Sequence, residues 1–181
     1  GTSGELAKDV FFAYRGYRMN YYAVTAMLAR VYCWAGEYGN AYKEAKEVVD
    51  ATYSTGSTST ASCFNFSNSL TTNRKDYNSI IMTFFKSTCY EDYLPYMTKG
   101  NDVVLVVNTT NLFGDEAGAD DRNLDLFGDW DGGDIKYSFK YDIKEGTSGT
   151  DMIPAIRLSE MYYIMGEYFA YKDEFSKAGE M

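Results

Sequence analysis

The sequence predicts a mainly α-helical fold of helical hairpins, with a few short β-strands and long loops. Three observations point there. Two stretches carry apolar side chains at helical period, small residues stand where the helices of a pair would touch, and glycine or aspartate stands where the chain reverses.

Between residues 17 and 50, Val24, Met27, Leu28, Val31 and Ala35 recur at three- and four-residue steps. They form one apolar face at helical period, the expected core side of a helix. The run breaks at Gly36-Glu37-Tyr38-Gly39-Asn40, where two glycines supply backbone freedom and Asn40 is placed to cap the next helix. That second helix runs to about Asp50, and its Ala41, Ala45, Val48 and Val49 would lie against the first in an antiparallel hairpin.

With Leu28-Ala29 as the close-contact pair, the spacing of Tyr32, Gly36, Tyr38 and Ala41 resembles a tetratricopeptide repeat. Residues 154–181 hold the same register in Tyr162, Met165-Gly166, Phe169, Asp173, Phe175 and Ala178, with Asp173 in place of the turn glycine. Two repeats are therefore expected, the second incomplete.

The rest of the chain reads less regularly. Residues 5–14 suit a short leading helix. The Ser/Thr-rich stretch 51–73 has no sustained period and reads as a long exposed loop. SIIMTFF (79–85) and DVVLVV (102–107) are short apolar runs suited to buried strands. The connection Cys89–Tyr96 is aromatic and acidic. Residues 113–134 read as an acidic loop, and 135–143 alternate strictly, as a half-buried strand does. Pro154 suits the start of the last helix, with Arg157 and Glu160 three apart and able to pair. The expected organisation is one partial domain over 1–181: the hairpin at 17–50, an insertion of loops and short strands at 51–150, and the opening of a second repeat at 151–181.

Composition narrows the function. A chain of 181 residues supports one sizeable core. Its 17 Lys and Arg against 26 Asp and Glu, a net charge of −9, argue against nucleic acid as a partner. There is no histidine, which excludes imidazole catalysis, His-based triads and the usual zinc sites. No apolar run approaches the ~20 residues of a membrane span, and the opening GTSGELAKDV reads as a start inside a longer protein. Cys33, Cys63 and Cys89 have no metal spacing; Cys33 suits a core position, and a Cys63–Cys89 bridge is open in an oxidising compartment.

The stretches NYYAVTAMLARVYCWAGEYGNAYKEAKEVVD, SIIMTFF, ADDRNLDLF, KYSFKYD and IPAIRLSEMYYIMGEY, in that order, resemble the second half of the SusD/RagB family, glycan-binding lipoproteins of the Bacteroidetes outer membrane. The last stretch, with Ile153-Pro154, Arg157, Ser159-Glu160 and Met161-Tyr162, is the most specific. The resemblance covers roughly residues 17–175. It implies a SusD-like fold on tetratricopeptide hairpins, a glycan ligand, a SusC-like TonB-dependent transporter as partner, and a surface location through a lipid anchor outside this chain. Asp121-Arg122 resembles a structural element of the family and reads as a salt-bridged turn.

Sugars are held by aromatic faces, with amides and carboxylates bonding their hydroxyls. Tyr21, Tyr22, Tyr32 and Trp34 lie at helical positions where core packing is expected. Aromatics in loops are better candidates, because no regular element stands behind them to bury the ring. The candidate ligand-binding residues are Tyr90, Tyr93, Tyr96 and Trp130, with Asp92, Asn101 and Asp129 as polar partners. No catalytic residue, metal ligand or cofactor is expected. The acids of Asp129-Trp130-Asp131-Gly132-Gly133-Asp134 invite a calcium reading, but Asp134 and Lys140 stand where an EF-hand loop needs glycine and glutamate. The expected function is non-catalytic glycan binding for uptake. The alternative is a helical-repeat module that binds protein, and an acidic glycoside hydrolase is the weakest of the three.

Overall fold

The computed structural model describes residues 15–68, 70, 73–86, 88–97, 104–130, 132, 135–138, 140 and 152–181. The helix read at 5–14 and parts of the strands read at 102–107 and 135–143 lie outside them. In chain order the elements are α1 (Tyr21–Trp34), α2 (Tyr38–Val49), β1 (Thr52–Ser54), β2 (Thr60–Ser62), β3 (Ile80–Phe85), α3 (Cys89–Met97), β4 (Val106–Asn108), α4 (Thr109–Phe113), α5 (Asp121–Leu126), β5 (Phe127–Asp129), β6 (Ile135–Ser138), β7 (Met152–Arg157), α6 (Leu158–Tyr171) and α7 (Phe175–Glu180). They group into two compact units: residues 1–66, 78–84 and 154–181, and residues 67–77 and 85–153.

The first unit holds both hairpins. Asn20 caps α1, its side chain accepting from the Ala23 amide at 2.9 Å, which satisfies one of the donors a helix start leaves open. Gly36, at φ +76°, reverses the chain in the left-handed region that glycine enters without a steric cost. α2 begins at Tyr38, so Asn40 lies inside the helix instead of capping it, and its amide donates back to Glu37 Oε2 at 2.7 Å.

The face of α1 that packs is not the expected one. Ala23, Ala26 and Ala29 are fully buried with Ala41, Ala45 and Val48 of α2, while Val24, Leu28, Val31 and Ala35 are exposed. Only Met27 of the expected set is half-buried against the core. Alanine lets helix backbones approach closely, so the small stripe seats α2 and α6 and the bulkier stripe is left outside. Tyr22 and Tyr32 pack on the core as expected, but Tyr21 and Trp34 are exposed.

β3 and β7 form a two-stranded sheet. Ile81 and Met82 of β3 and Ile156 of β7 join the helical core, whereas Phe84 and Phe85 are exposed. Pro154 lies within β7, an edge strand of a two-stranded sheet and so a place where proline is tolerated, and the helix starts four residues later at Leu158. Arg157 and Glu160 do not pair. Arg157 donates to Ser79 Oγ at 3.4 Å, and Glu160 is gripped by Arg30 of α1, with Nε–Oε1 at 2.5 Å and Nη2–Oε2 at 2.6 Å. Arg30 Nη2 also donates to the Ala155 carbonyl at 3.0 Å. This planar, two-pronged contact ties α1 to α6 and to the end of β7. The stretch read as a loop at 51–73 contains the antiparallel hairpin β1–β2, paired Thr52 to Ser62 and Ser54 to Thr60. All three cysteines are thiols.

Candidate functional site

The second unit holds every candidate ligand-binding residue. The segment read as an aromatic connection is the helix α3, interrupted in pattern only by Pro95 near its end. Its start is stabilised electrostatically. Glu91 and Asp92 stand in the first turn, where the helix dipole favours negative charge. Asp92 forms an ion pair with Lys86 and accepts from Thr88 Oγ1 at 3.0 Å. The Lys86 and Thr88 contacts hold its carboxyl below the ordinary value.

Tyr90, Tyr93 and Tyr96 therefore follow one another at three-residue steps along α3, a spacing that places successive rings on one side of a helix. Tyr90 is half-buried, while Tyr93 and Tyr96 are 36% and 43% exposed. The helix end is fixed as well, since the Tyr96 carbonyl accepts from the Leu105 amide at 3.0 Å.

Leu105 leads into β4, the edge of a three-stranded antiparallel sheet ordered β4-β6-β5. Val106 faces Tyr137, which faces Gly128 of β5 in turn. A Cβ on Gly128 would meet the Tyr137 ring at 2.9 Å, so the ring needs glycine beneath it. The Trp130 amide donates to the Ile135 carbonyl at 3.1 Å, anchoring the half-buried Trp130 just beyond β5, next to the exposed Asp129. Tyr90, Asp92, Tyr93 and Tyr96 are thus gathered on one helix, whereas Asp129 ends β5 and Trp130 follows just beyond it. Asn101 lies outside the described residues.

The acidic stretch read as a loop is largely ordered. Asp120 caps α5, accepting from the Arg122 amide at 2.8 Å and from Arg122 Nη2 at 2.5 Å, and the Arg122 side chain holds its carboxyl below the usual carboxylate range. The salt-bridged turn expected at Asp121-Arg122 is made by Asp120 and Arg122 instead. Buried Asn123 donates to the Ala117 carbonyl at 2.5 Å and accepts from Lys136 Nζ at 3.4 Å, joining α5 to β6. Among the described residues no group of three acidic or cysteine side chains is placed to hold a metal ion; Asp131 and Asp134 of the run 129–134 lie outside them.

Aromatic surface missed by sequence reasoning lies in the first unit. Trp34 is 88% exposed, and Tyr163, Tyr171 and Phe175 are exposed on the second hairpin. The rings of Tyr38 and Tyr171 meet at 4.9 Å. Helical position alone suggests burial; what it cannot supply is which side of each helix a neighbour covers.

No protein-family profile and no curated protein matches the sequence. Two solved structures share the architecture. A SusD superfamily protein from Bacteroides thetaiotaomicron superposes with a TM-score of 0.59 at 20% identity, over 88% of this chain and 39% of that one. A SusD-like carbohydrate binding protein from Bacteroides vulgatus gives 0.54 at 16% identity, over 94% of this chain and 37% of that one. The chain thus spans about two fifths of each. Among the described residues no helix is long and apolar enough to cross a membrane. The helical hairpins, short strands and long connections of this chain form a SusD-like fold.

Proposed function

We propose that the chain is the glycan-handling part of a SusD-like protein and binds oligosaccharide without transforming it. The observation that carries this reading is the tyrosine series of α3, two of its three rings substantially exposed, on a fold shared with a structure described as carbohydrate binding. Aromatic faces stack on the C–H surfaces of sugar rings, and neighbouring carboxylates bond the hydroxyls. Tyr90, Tyr93 and Tyr96 provide the stacking surface in this reading, and Trp130 with Asp129 and Asn101 extends it. Asp92 acts indirectly, by fixing the start of α3. No metal or cofactor is required.

The larger setting belongs to the same proposal. The bound glycan passes to a SusC-like TonB-dependent transporter at the outer membrane, where a lipid anchor outside this chain holds the protein. The net charge of −9 suits neutral or basic ligands better than polyanions.

Calorimetry of the chain against a panel of plant and host oligosaccharides tests this. Saturable binding to at least one member is expected, and Tyr93→Ala with Trp130→Ala should weaken it about tenfold or more, the loss of one to two stacking contacts. Binding that survives the double substitution would move the site away from α3 and Trp130. No binding across the panel would sink the reading for this chain.

A further inference from the structure

Where the two hairpins meet, two phenols touch at the surface. Tyr38 opens α2 and Tyr171 closes α6, and their rings lie with centroids 4.9 Å apart and planes 33° from parallel. Tyr38 is half-buried and Tyr171 is 70% exposed, so a reagent in solvent reaches the pair. The helices behind them are packed: one turn further in, Tyr42 stacks on Tyr168 at 4.5 Å, and Ala41 and Ala45 of α2 share a core with Met161 and Met165 of α6. The two rings are thus held together by the fold. Each nevertheless stands at a helix end, where the terminal turn frays and a side chain has room to rotate.

We propose that Tyr38 and Tyr171 are a dityrosine site, which a one-electron oxidant such as a peroxidase consuming hydrogen peroxide converts into a covalent clasp between the hairpins. Each phenol gives up one electron and its hydroxyl proton. The two phenoxyl radicals couple through a carbon–carbon bond between ring positions next to the hydroxyls, and the hydrogens on those carbons pass to the oxygens as the rings regain aromaticity. The chain loses two hydrogens in all, and one peroxide is reduced to two waters. Other tyrosine pairs among the described residues fit the reaction less well. Tyr42 and Tyr168 are both half-buried and are hemmed in by Phe169, at 5.4 Å and 5.3 Å. Tyr21 and Tyr22 meet edge to face at 75°, which sets the ring positions to be joined apart, and the Tyr21 hydroxyl is engaged by Glu47. The clasp also has a reach beyond the hairpins. Residues 67–77 and 85–153, the whole second unit, fall between 38 and 171 in the chain, so the bond closes a loop that contains the candidate ligand-binding residues. A closed loop limits what the unfolded chain can explore.

The test is oxidation of the dilute chain by peroxidase with limiting hydrogen peroxide, read by dityrosine fluorescence of the monomer band and by mass mapping of joined peptides. The main product is expected to be a monomer in which the Tyr38 and Tyr171 peptides are joined and two hydrogens lighter. Tyr38→Phe and Tyr171→Phe should each remove that peptide and lower the monomer fluorescence about tenfold, because phenylalanine keeps the ring packing but forms no phenoxyl. The same oxidation in urea should lose the selectivity. Once purified, the joined chain should unfold roughly 5 °C higher than the parent. A main product joined at other tyrosines, fluorescence confined to dimers, or equal Tyr38–Tyr171 joining in urea would overturn the site. An unchanged unfolding midpoint in the joined chain would overturn the clasp.

Discussion

α1–α2 and α6–α7 end their first helices in the same way. The Glu37 amide donates to the Tyr32 carbonyl at 2.9 Å, and the Glu174 amide to the Phe169 carbonyl at 2.9 Å. Each glutamate precedes a second helix without capping it and is held from three residues on, by Asn40 in one hairpin and by Lys177 in the other. The backbones match, yet equivalent side chains have opposite surroundings: Ala26 is buried where Tyr163 is exposed, and Val24 is exposed where Met161 is buried. Local sequence sets the hairpin, and the neighbouring hairpin sets which stripe of it becomes core.

The largest effect should come from that reversal. Met161→Ala removes a fully buried side chain from the shared core and should cost about 3 kcal/mol, the usual loss for a large buried aliphatic. Val24→Ala, at the equivalent position, should stay within about 0.5 kcal/mol because no neighbour is lost. Urea unfolding of both variants checks this. Equal costs would mean that the α1 stripe is covered in solution, and the contrast between the hairpins would fail.

A second difference lies in ionisation. Cys33 of α1 stands where the second hairpin has Ala170, and its thiol donates to Glu167 Oε2 of α6 at 3.0 Å. Burial first, and then the Glu167 contact, pushes the thiol from its ordinary 9.0 up to about 11. The folded chain holds this proton more tightly than the unfolded chain, so the stabilisation is fully present below pH 9 and is lost as pH rises through about 11. Alkylation of Cys33 as a function of pH should therefore rise with a midpoint near the upper value. Glu167→Gln should lower that midpoint without returning it to the ordinary one, because burial is the larger cause. An ordinary midpoint in the native chain would show that α1 and α6 are not held together at this point.

The hairpin register is legible in the sequence because turn and close-contact positions are local: Gly36, Asp173, Ala29 and Gly166 can be recognised by spacing alone. The packing face of α1 is not, since alanine at 23, 26 and 29 scores as weakly apolar beside valine and leucine, although small size is what close helices need. The β1–β2 hairpin is hidden for another reason. Its strands are almost wholly exposed, so backbone hydrogen bonds hold it without any alternation of apolar side chains. Pro95 and the absence of a clear apolar period disguise α3 as a loop, and this has a consequence for the candidate site. Tyr90, Tyr93 and Tyr96 read as loop aromatics in the sequence, whereas a rigid helix orders them. Arg30 and Glu160, far apart in sequence, carry no signal of their pairing.

The smallest effect is at the turns, where glycine in one hairpin faces aspartate in the other. Gly36 and Asp173 both sit in the left-handed region, at φ +76° and +61°. Gly36→Ala puts a Cβ into that conformation and should cost about 1 kcal/mol, while Asp173→Gly relieves it and should gain about 0.5 kcal/mol. The gain is smaller than the cost for two reasons. Aspartate tolerates positive φ better than alanine does, and a new glycine also loosens the unfolded chain, offsetting part of the relief. Thermal unfolding of the two variants beside the parent checks both signs. Were Asp173→Gly to destabilise the chain, the Asp173 side chain would have to hold the second turn through a contact that Gly36 does not make, and the two turns would be alike in backbone only.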